Sequence, residues 1–149
     1  MFVERLTCKT PTQQKEVTTL LAGLNTMYPD ADVWLPKRLN DVKNQEAWCW
    51  GVHKNTTLIG VIIVKPKSRG TKISPIFVDP AHRHQGAGTL LMETVTSKNN
   101  PSRNNLYVTV PETVYPQLEP LLTRYGFAGT HLVLDRYGAG RNEWVFMRT

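Results

Sequence analysis

The stretch of this chain best suited to chemistry is a glycine loop, Arg83-His84-Gln85-Gly86-Ala87-Gly88. The apolar run Ile76-Phe77-Val78 precedes the loop and the pair Leu90-Leu91 follows it, which predicts the order strand, loop, helix. The two glycines lack Cβ, so a phosphate oxygen can approach their backbone N–H groups. The first turn of the helix adds unpaired N–H groups and a positive dipole end. With Arg83 as a neighbouring cation, the pattern predicts a phosphate-binding site.

The loop has three other interpretations. A plain strand-to-helix turn would use glycine only to let the helix pack closely. A Walker loop would end in Gly-Lys-Ser or Gly-Lys-Thr, and a dinucleotide-binding fold would carry Gly-x-Gly-x-x-Gly. Neither nucleotide motif stands in the loop. Both nucleotide sites are therefore set aside, and the plain turn stays as the alternative without a ligand.

A family resemblance rests on these residues and their surroundings. The loop resembles the Arg/Gln-x-x-Gly-x-Gly/Ala signature of the GNAT superfamily of acyl-CoA N-acyltransferases. Val78-Asp79-Pro80 is the usual lead-in to that signature, and Tyr125-Gly126-Phe127 stands where such chains carry a Gly-Phe. The resemblance runs from about residue 47 to the C-terminus. It implies that acetyl-CoA binds at Ile76, Phe77, Val78, Arg83, His84, Gln85, Gly86, Ala87, Gly88 and Thr89.

Apolar-patterned segments predict the elements that hold the loop. Strands are predicted over residues 2–6, 48–53, 58–64, 72–78 and 106–110, with a closing hairpin over 131–134 and 144–147. Helices are predicted from residue 11 to about 24, over 36–42, over about 88–97 and over 116–125. The resemblance implies an α/β (α+β) fold with a mixed, mostly antiparallel central sheet and helices on both faces. With 149 residues and 40% hydrophobic content, residues 1–149 are expected to form one GNAT-like domain.

Local signals mark two of the helices. Thr10 is the expected N-cap of the first helix, with Pro11 at its first position and Gln13 placed to reach back as in a capping box. Pro120 is expected near the first turn of the last helix, where a missing N–H costs little.

Pro75 lies inside the strand that leads into the glycine loop. Because proline cannot donate a hydrogen bond to a neighbouring strand, Pro75 predicts a bulge or a place where pairing fails. The resemblance supplies a use for this irregularity. In GNAT folds this strand parts from the next one, and the thioester arm of acyl-CoA lies in the gap. Unpaired backbone groups at Ile76 to Val78 would then bind that arm.

Direct acetyl transfer from a thioester to an amine has three needs. The amine must be neutral, the charge that develops on the carbonyl oxygen must be stabilised, and the leaving thiolate must receive a proton. By resemblance, the backbone N–H of Val78 is the candidate for the second need. Many GNAT chains place a tyrosine four residues before the Gly-Phe as general acid, but here that position is Leu122.

Other residues are therefore candidates for proton transfer. Tyr115, just past the strand over residues 106–110, is the preferred general acid, with packing as the alternative and Tyr125 as a second tyrosine. Residues 71–78, where a GNAT base is often found, contain no carboxylate. Glu112 is the candidate base, with a solvated carboxylate as the alternative.

Composition and charge limit the kinds of molecule that the protein is expected to bind. Eighteen Lys and Arg against twelve Asp and Glu give a net charge of +6, which favours anionic partners such as acetyl-CoA. The candidate amine acceptors are a small molecule such as a polyamine or amino acid, a protein amine, and the aminoacyl end of a charged tRNA.

Cys8 and Cys49 lack metal-ligand spacing, so no metal is expected. No apolar run reaches the roughly 18 residues of a membrane span, and Met1 begins no signal peptide. A cytoplasmic protein is expected, and a homodimer is compatible with these features.

Acyl transfer has two rivals from other functional classes. A non-catalytic acyl-CoA-binding module would explain the missing tyrosine and carboxylate. A basic nucleic-acid-binding domain would grip a backbone phosphate with the loop, and its affinity would fall steeply with salt.

Two further segments keep two interpretations each. The segment Lys65 to Lys72 carries four cations and no acid. It is either a solvated hairpin tip, which is favoured, or a contact for a large anionic partner such as tRNA. Tyr28, Trp34 and Leu35 form either the wall of an acceptor pocket or ordinary packing.

Overall fold

The computed structural model of the chain describes residues 1–26, 28, 30–97, 105–135 and 138–148. Within these residues, seven strands form one sheet in the order β1-β2-β3-β4-β5-β7-β6. The strands are β1 (Phe2–Leu6), β2 (Trp48–Lys54), β3 (Thr57–Lys67), β4 (Gly70–Val78), β5 (Leu106–Pro111), β6 (Phe127–Val133) and β7 (Glu143–Arg148). All neighbouring strands are antiparallel except β4 and β5, which are parallel.

Four α-helices of the described chain cover both faces of this sheet. They are α1 (Pro11–Leu21), α2 (Ala31–Lys43), α3 (Ala87–Thr96) and α4 (Tyr115–Arg124). The helices α1 and α2 share one buried cluster with Val61 and Ile63 of β3, whereas α3 and α4 share the other with Ile62 and Val64. Because β3 is buried on both sides, its run of apolar residues is continuous. The predicted mixed sheet with helices on both faces is confirmed.

Local signals set the start of α1 as the sequence predicts, with one difference. The Oγ1 atom of Thr10 accepts a hydrogen bond from the N–H of Gln13 at 3.2 Å, and Pro11 is the first helical residue. The side chain of Gln13 does not complete a capping box, because its Oε1 accepts from the N–H of Cys8 at 2.7 Å. The expected capping box was wrong, since an earlier loop donor takes the glutamine oxygen.

Two predicted boundaries and the position of one proline differ in the structure. The helix α2 begins at Ala31, so Pro36 lies within it, and Pro120 lies in the second turn of α4 rather than the first. An internal proline costs a helix roughly 3 kcal/mol, but the buried side chains of Leu35 and Leu39 hold α2 on the sheet. The strand β6 begins at Phe127, because pairing with β7 extends the predicted hairpin toward α4.

A gap between β4 and β5 interrupts the middle of the sheet. The two strands pair only from Thr71 with Leu106 to Ile73 with Val108, and their register ends there. Across the other edge of β4, the register with β3 shifts between Ile62 and Val64. Two residues of β4, one of them Pro75, oppose one residue of β3 at this shift, which is a bulge. The prediction from Pro75 is confirmed: pairing fails beside it and the two strands part toward the glycine loop.

The basic segment 65–72 forms the end of the hairpin between β3 and β4, and residues 66–69 at this end are exposed. The strand β3 continues to Lys67 and β4 begins at Gly70, so only residues 68 and 69 form the turn. The Nζ atom of Lys65 lies 3.3 Å from Oδ2 of Asp41, and 19% of the Lys65 side chain is exposed. The expected solvated hairpin tip therefore fits residues 66–69, whereas Lys65 is partly covered because it pairs with Asp41 of α2.

None of the helices described is long and apolar enough to cross a membrane. In the same part of the chain, no group of three or more His, Cys, Asp or Glu side chains could hold a metal ion.

Candidate functional site

A cleft of about 650 Å³ lies where β4, the glycine loop, α3 and α4 meet. We call it the large cleft. Its lining includes all of the predicted cofactor-binding residues except Gln85. The lining residues are Ile76, Phe77, Val78, His82, Arg83, His84, Gly86, Ala87, Gly88, Thr89, Val114, Pro116, Gln117, Leu118, Pro120 and Leu121. The fold therefore brings together in space what the sequence pattern placed in one stretch.

Gly86 adopts a conformation that other residues rarely take. It is the N-cap of α3 with a φ of 95°, and a Cβ built on it would meet no atom nearer than Met1 Cε at 3.9 Å. The space around Gly86 is thus open to a ligand. The first N–H groups of α3, at Ala87, Gly88 and Thr89, border the same cleft and have no partner within the helix. An open cradle at a helix N-terminus suits the phosphates of coenzyme A.

Gly88 serves packing as well as the cleft. A Cβ at this position would lie 3.2 Å from Leu121 Cδ2, which is tight, so glycine lets α3 and α4 approach each other closely. The plain-turn interpretation thus accounts for Gly88. At Gly86 the φ of 95° also suits a plain turn, but helix packing does not explain the open space that its missing Cβ leaves.

Arg83 closes the end of β4. Its Nε donates to the carbonyl oxygen of Val78 at 3.0 Å, and its guanidinium carbon lies 5.5 Å from the centre of the Phe77 ring. Beside it, Nδ1 of His82 lies 2.7 Å from Oδ2 of Asp79. These contacts fix the turn between strand and loop and keep the arginine at the cleft.

The backbone at the end of β4 presents polar groups to the gap. The N–H of Asp79 donates to the carbonyl of Ile59 on β3 at 2.8 Å. In a strand, the N–H and C=O of one residue point to the same side, and successive residues alternate. The N–H of Val78 therefore points away from β3, toward the side where β5 has parted. The carbonyl of Val78 points the same way and meets Arg83 there.

A second cavity, of about 250 Å³, lies on the other side of the gap. We call it the small pocket. Its lining residues are Tyr28, Trp34, Arg38, Lys72, Ile73, Ser74, Pro75, Ile76, Val108, Thr109, Val110 and Leu118. Ile76 and Leu118 line both cavities. A molecule in the large cleft and one in the small pocket would thus meet at the gap.

The small pocket has an aromatic wall. The ring centres of Tyr28 and Trp34 are 5.9 Å apart in an edge-to-face arrangement, and the Tyr28 hydroxyl donates to the carbonyl of Thr109 at 3.3 Å. Tyr28 and Trp34 line this pocket and also pack against the buried cluster of α1 and α2, so both interpretations fit their position. Leu35 instead belongs to the buried core.

Tyr115 and Glu112, the predicted acid and base, lie at the edge of this region. The Tyr115 ring packs against Trp144 and Phe146, with ring centres 6.0 and 6.5 Å away. Glu112 is exposed, and its Oε2 accepts from Nδ2 of Asn142 at 2.9 Å. Neither residue is among those lining the two cavities. Their catalytic roles stay predictions.

The other positions considered for proton transfer are engaged elsewhere. Leu122 is buried in the core, so α4 presents no hydroxyl at that point. The Tyr125 hydroxyl lies 3.2 Å from Oε1 of Glu93 and 3.4 Å from the carbonyl of Thr89. Burial, together with the negative charge of Glu93, raises the pKa of Tyr125. A raised pKa makes this phenol a weaker proton donor.

Sequence reasoning missed two cations of the site, Lys54 and Arg38. Lys54 ends β2, and its Nζ donates to Oε1 of Gln85 at 3.0 Å, which places a positive charge beside the glycine loop. Arg38, on α2, lines the small pocket. Both residues are distant from the loop in the sequence, and no motif surrounds either of them.

Comparisons with known proteins bear on this site. Residues 23–140 match the model of a protein family described as an acetyltransferase (GNAT) domain. No curated protein matches the chain in sequence.

Solved structures with a similar fold include several acetyltransferases. An aminoglycoside 6'-N-acetyltransferase complexed with coenzyme A has a TM-score of 0.79 at 15% sequence identity, covering 100% of this chain and 97% of the other. A spermidine N-acetyltransferase from Vibrio cholerae has a TM-score of 0.73 at 15% identity, covering 99% and 94% of the two chains. A GNAT family acetyltransferase from Elizabethkingia anophelis with acetyl-CoA bound has a TM-score of 0.72 at 19% identity, covering 99% and 96%. These identities establish a shared fold only. The family match spans more than half of the residues, and the chain therefore belongs to the GNAT acetyltransferase family.

Proposed function

We propose that this protein is an acetyl-CoA-dependent N-acetyltransferase that transfers the acetyl group directly to an amine. The gap between β4 and β5 carries the proposal, because the large cleft and the small pocket share Ile76 and Leu118 there. Two substrates entering from opposite sides would place their reacting atoms together, which is the main requirement of direct transfer.

The large cleft is the proposed acetyl-CoA site. The N–H groups at the start of α3, from Ala87 onward, would bind the phosphates, and Gly86 would admit them. Arg83 and Lys54 add positive charge around the loop. The backbone groups of Ile76 and Val78, which point away from β3, would hold the acyl-bearing arm in the gap.

The chain's own groups then meet the needs of the reaction. The N–H of Val78, which points toward the gap, would stabilise the charge that develops on the carbonyl oxygen. Tyr28 lines the small pocket and carries a hydroxyl group. We therefore add Tyr28 to Tyr115 and Glu112 as a candidate for proton transfer. Because neither Tyr115 nor Glu112 lines a cavity, a proton would reach either of them through water.

One alternative function has a specific observation in its favour. Leu122 is a buried apolar residue at the position where many GNAT chains carry a catalytic tyrosine. A non-catalytic acyl-CoA-binding module would tolerate this. Such a module would bind acetyl-CoA and acetylate no amine.

Calorimetry with acetyl-CoA, followed by a thiol-release assay with pooled amines, tests the proposal. Binding together with amine-dependent thiol release is the expected result. Binding without release from any pool would favour the non-catalytic module. A protein that binds nucleic acid in a salt-dependent manner, without competition from coenzyme A, would instead be a basic nucleic-acid-binding domain.

A further inference from the structure

Arg38 is a largely buried cation in the lining of the small pocket. It extends from α2 to the pocket lining, and 12% of its side chain is exposed. Its Nη1 lies 3.4 Å from Oδ2 of Asp41, and its Nη2 lies 3.5 Å from Oγ of Ser74. Both distances exceed those of well-formed hydrogen bonds, about 2.7–3.2 Å. The Nε atom is buried and has no hydrogen-bond partner among the described residues. Because both contacts of the Nη atoms are long, these two atoms keep donor capacity for a ligand in the pocket.

The charges around this pocket are mainly positive. Lys72 also belongs to the lining, which includes no aspartate or glutamate among the described residues. Burial, with the positive charges of Arg38 and Lys65, lowers the pKa of the neighbouring Lys67. Asp41 offsets part of this charge from outside the lining. A ligand of this pocket therefore meets a positive field together with a planar, forked donor that matches a carboxylate.

We propose that the acceptor is a small amine that also carries a carboxylate, such as an amino acid, with the carboxylate bound by Arg38. This proposal rests on the function proposed above. At about 250 Å³, the pocket is smaller than the roughly 300–1,000 Å³ of ordinary ligand sites, so it encloses only a small acceptor. Polycations such as spermidine and the aminoglycosides would meet like charges here.

The transfer itself leaves the carboxylate unchanged. The amine nitrogen forms a bond to the acetyl carbon, and the bond between that carbon and sulfur breaks. The amine loses one proton and the thiolate of coenzyme A gains one. Arg38 acts by binding the far end of the acceptor, which directs the amine toward the gap at Ile76 and Leu118.

Matched pairs of amino acids and their amides test the proposal in the unmodified protein. Glycine with glycinamide and lysine with lysinamide differ only at the carboxyl group. The amides have the less basic α-amine and hence more of its neutral form, so amine chemistry alone favours them at that nitrogen. We expect kcat/KM to be at least about tenfold higher for the free acids, since the amide cannot form the charge-assisted hydrogen bonds that a carboxylate forms with the guanidinium. Equal or faster acetylation of the amides would overturn the proposal. A preference for phosphoethanolamine over β-alanine would overturn the choice of carboxylate in favour of phosphate.

Substitution of Arg38 tests the residue. Arg38→Met should raise KM for the free acids about 10- to 100-fold and remove the preference over amides, while the Kd for acetyl-CoA stays unchanged. Arg38→Lys keeps the charge without the forked pair of donors. Its KM for the free acids should therefore lie between the values for the unmodified protein and for Arg38→Met. Lys37→Met is the matched control, because Lys37 is an exposed cation on the same helix outside the pocket lining. Equal losses for acids and amides in Arg38→Met would contradict the role of Arg38. The substrate pairs still decide the proposal if that variant does not fold.

Two separate measurements distinguish failure of the proposed enzymatic function from failure of the proposed carboxylate site. If the protein binds acetyl-CoA but releases no thiol with any amine, the proposed enzymatic function fails. Calorimetric titration of the coenzyme A-loaded protein with lysine and with lysinamide then tests the carboxylate site alone. Tighter binding of lysine would support the site, and equal or undetectable binding of both compounds would overturn it.

Discussion

Gly86→Asp should remove most of the affinity for acetyl-CoA while leaving a folded protein. The substitution places a carboxylate at the N-cap of α3, in the open space where the phosphates are proposed to bind. A carboxylate at an N-cap is ordinarily favourable to a helix. The loss of affinity would therefore come from repulsion of the ligand and from filling the cradle.

The size of the effect follows from two separate costs. The φ of 95° at Gly86 disfavours any side chain and should lower the free energy of unfolding by about 1–2 kcal/mol. A carboxylate about 6 Å from a phosphate charge would cost about 0.7 kcal/mol at the permittivity of water and about 2.8 kcal/mol at an effective value of 20. These energies correspond to a rise in Kd of about 3- to 100-fold for each phosphate charge.

Two comparison variants separate strain from charge. Gly86→Ala introduces the strain and a methyl group without the charge. Gly140→Ala introduces similar strain at a φ of 76°, in a loop where a Cβ would meet nothing within 4 Å. Urea denaturation should show similar losses of stability for both alanine variants. Calorimetry should show unchanged acetyl-CoA affinity for Gly140→Ala and a Kd at least about tenfold higher for Gly86→Asp. An unchanged Kd in a folded Gly86→Asp protein would refute the assignment of the large cleft.

Further variants address proton transfer and charge. If Tyr115 or Glu112 transfers a proton, the variant Tyr115→Phe or Glu112→Gln should lower kcat about 10²- to 10⁴-fold, with little change in the Kd for acetyl-CoA. Near-full activity of both variants would instead assign Tyr115 to packing and Glu112 to solvation. Tyr28→Phe is expected to lower kcat by a similar factor if Tyr28 is the proton donor, and steady-state kinetics of the three variants would show which one matters. Lys54→Met should weaken acetyl-CoA binding a few-fold at low salt and less at high salt, as measured by calorimetry at two ionic strengths; a loss independent of salt would contradict an electrostatic role.

The parts of the fold that sequence predicted are those with strong local signals. The strand, glycine loop and helix around Gly86 were predicted because each depends on its own residues. Pro75 correctly predicted the failure of pairing, since a missing N–H acts locally. The start of α2 was missed because packing of Leu35 against the core, rather than a capping signal, extends this helix past Pro36. Likewise, the Tyr115 ring packs against Trp144, which lies twenty-nine residues later in the chain, and no local pattern encodes this contact.

The large cleft and the small pocket also differ in how far local sequence identifies their residues. The large cleft is built mainly from residues 76–89 and the nearby face of α4, so a single stretch of sequence identifies most of its ligand-binding groups. The small pocket is lined by residues of α2, β4, β5 and α4. Arg38 can therefore be recognised as a pocket residue only from the folded structure. Similar structures at 15–19% identity share the sheet, but they do not fix which cation lines that pocket. Charge and volume in this chain are therefore the guides to the acceptor, and the largely buried Arg38 favours a carboxylate over a second positive charge.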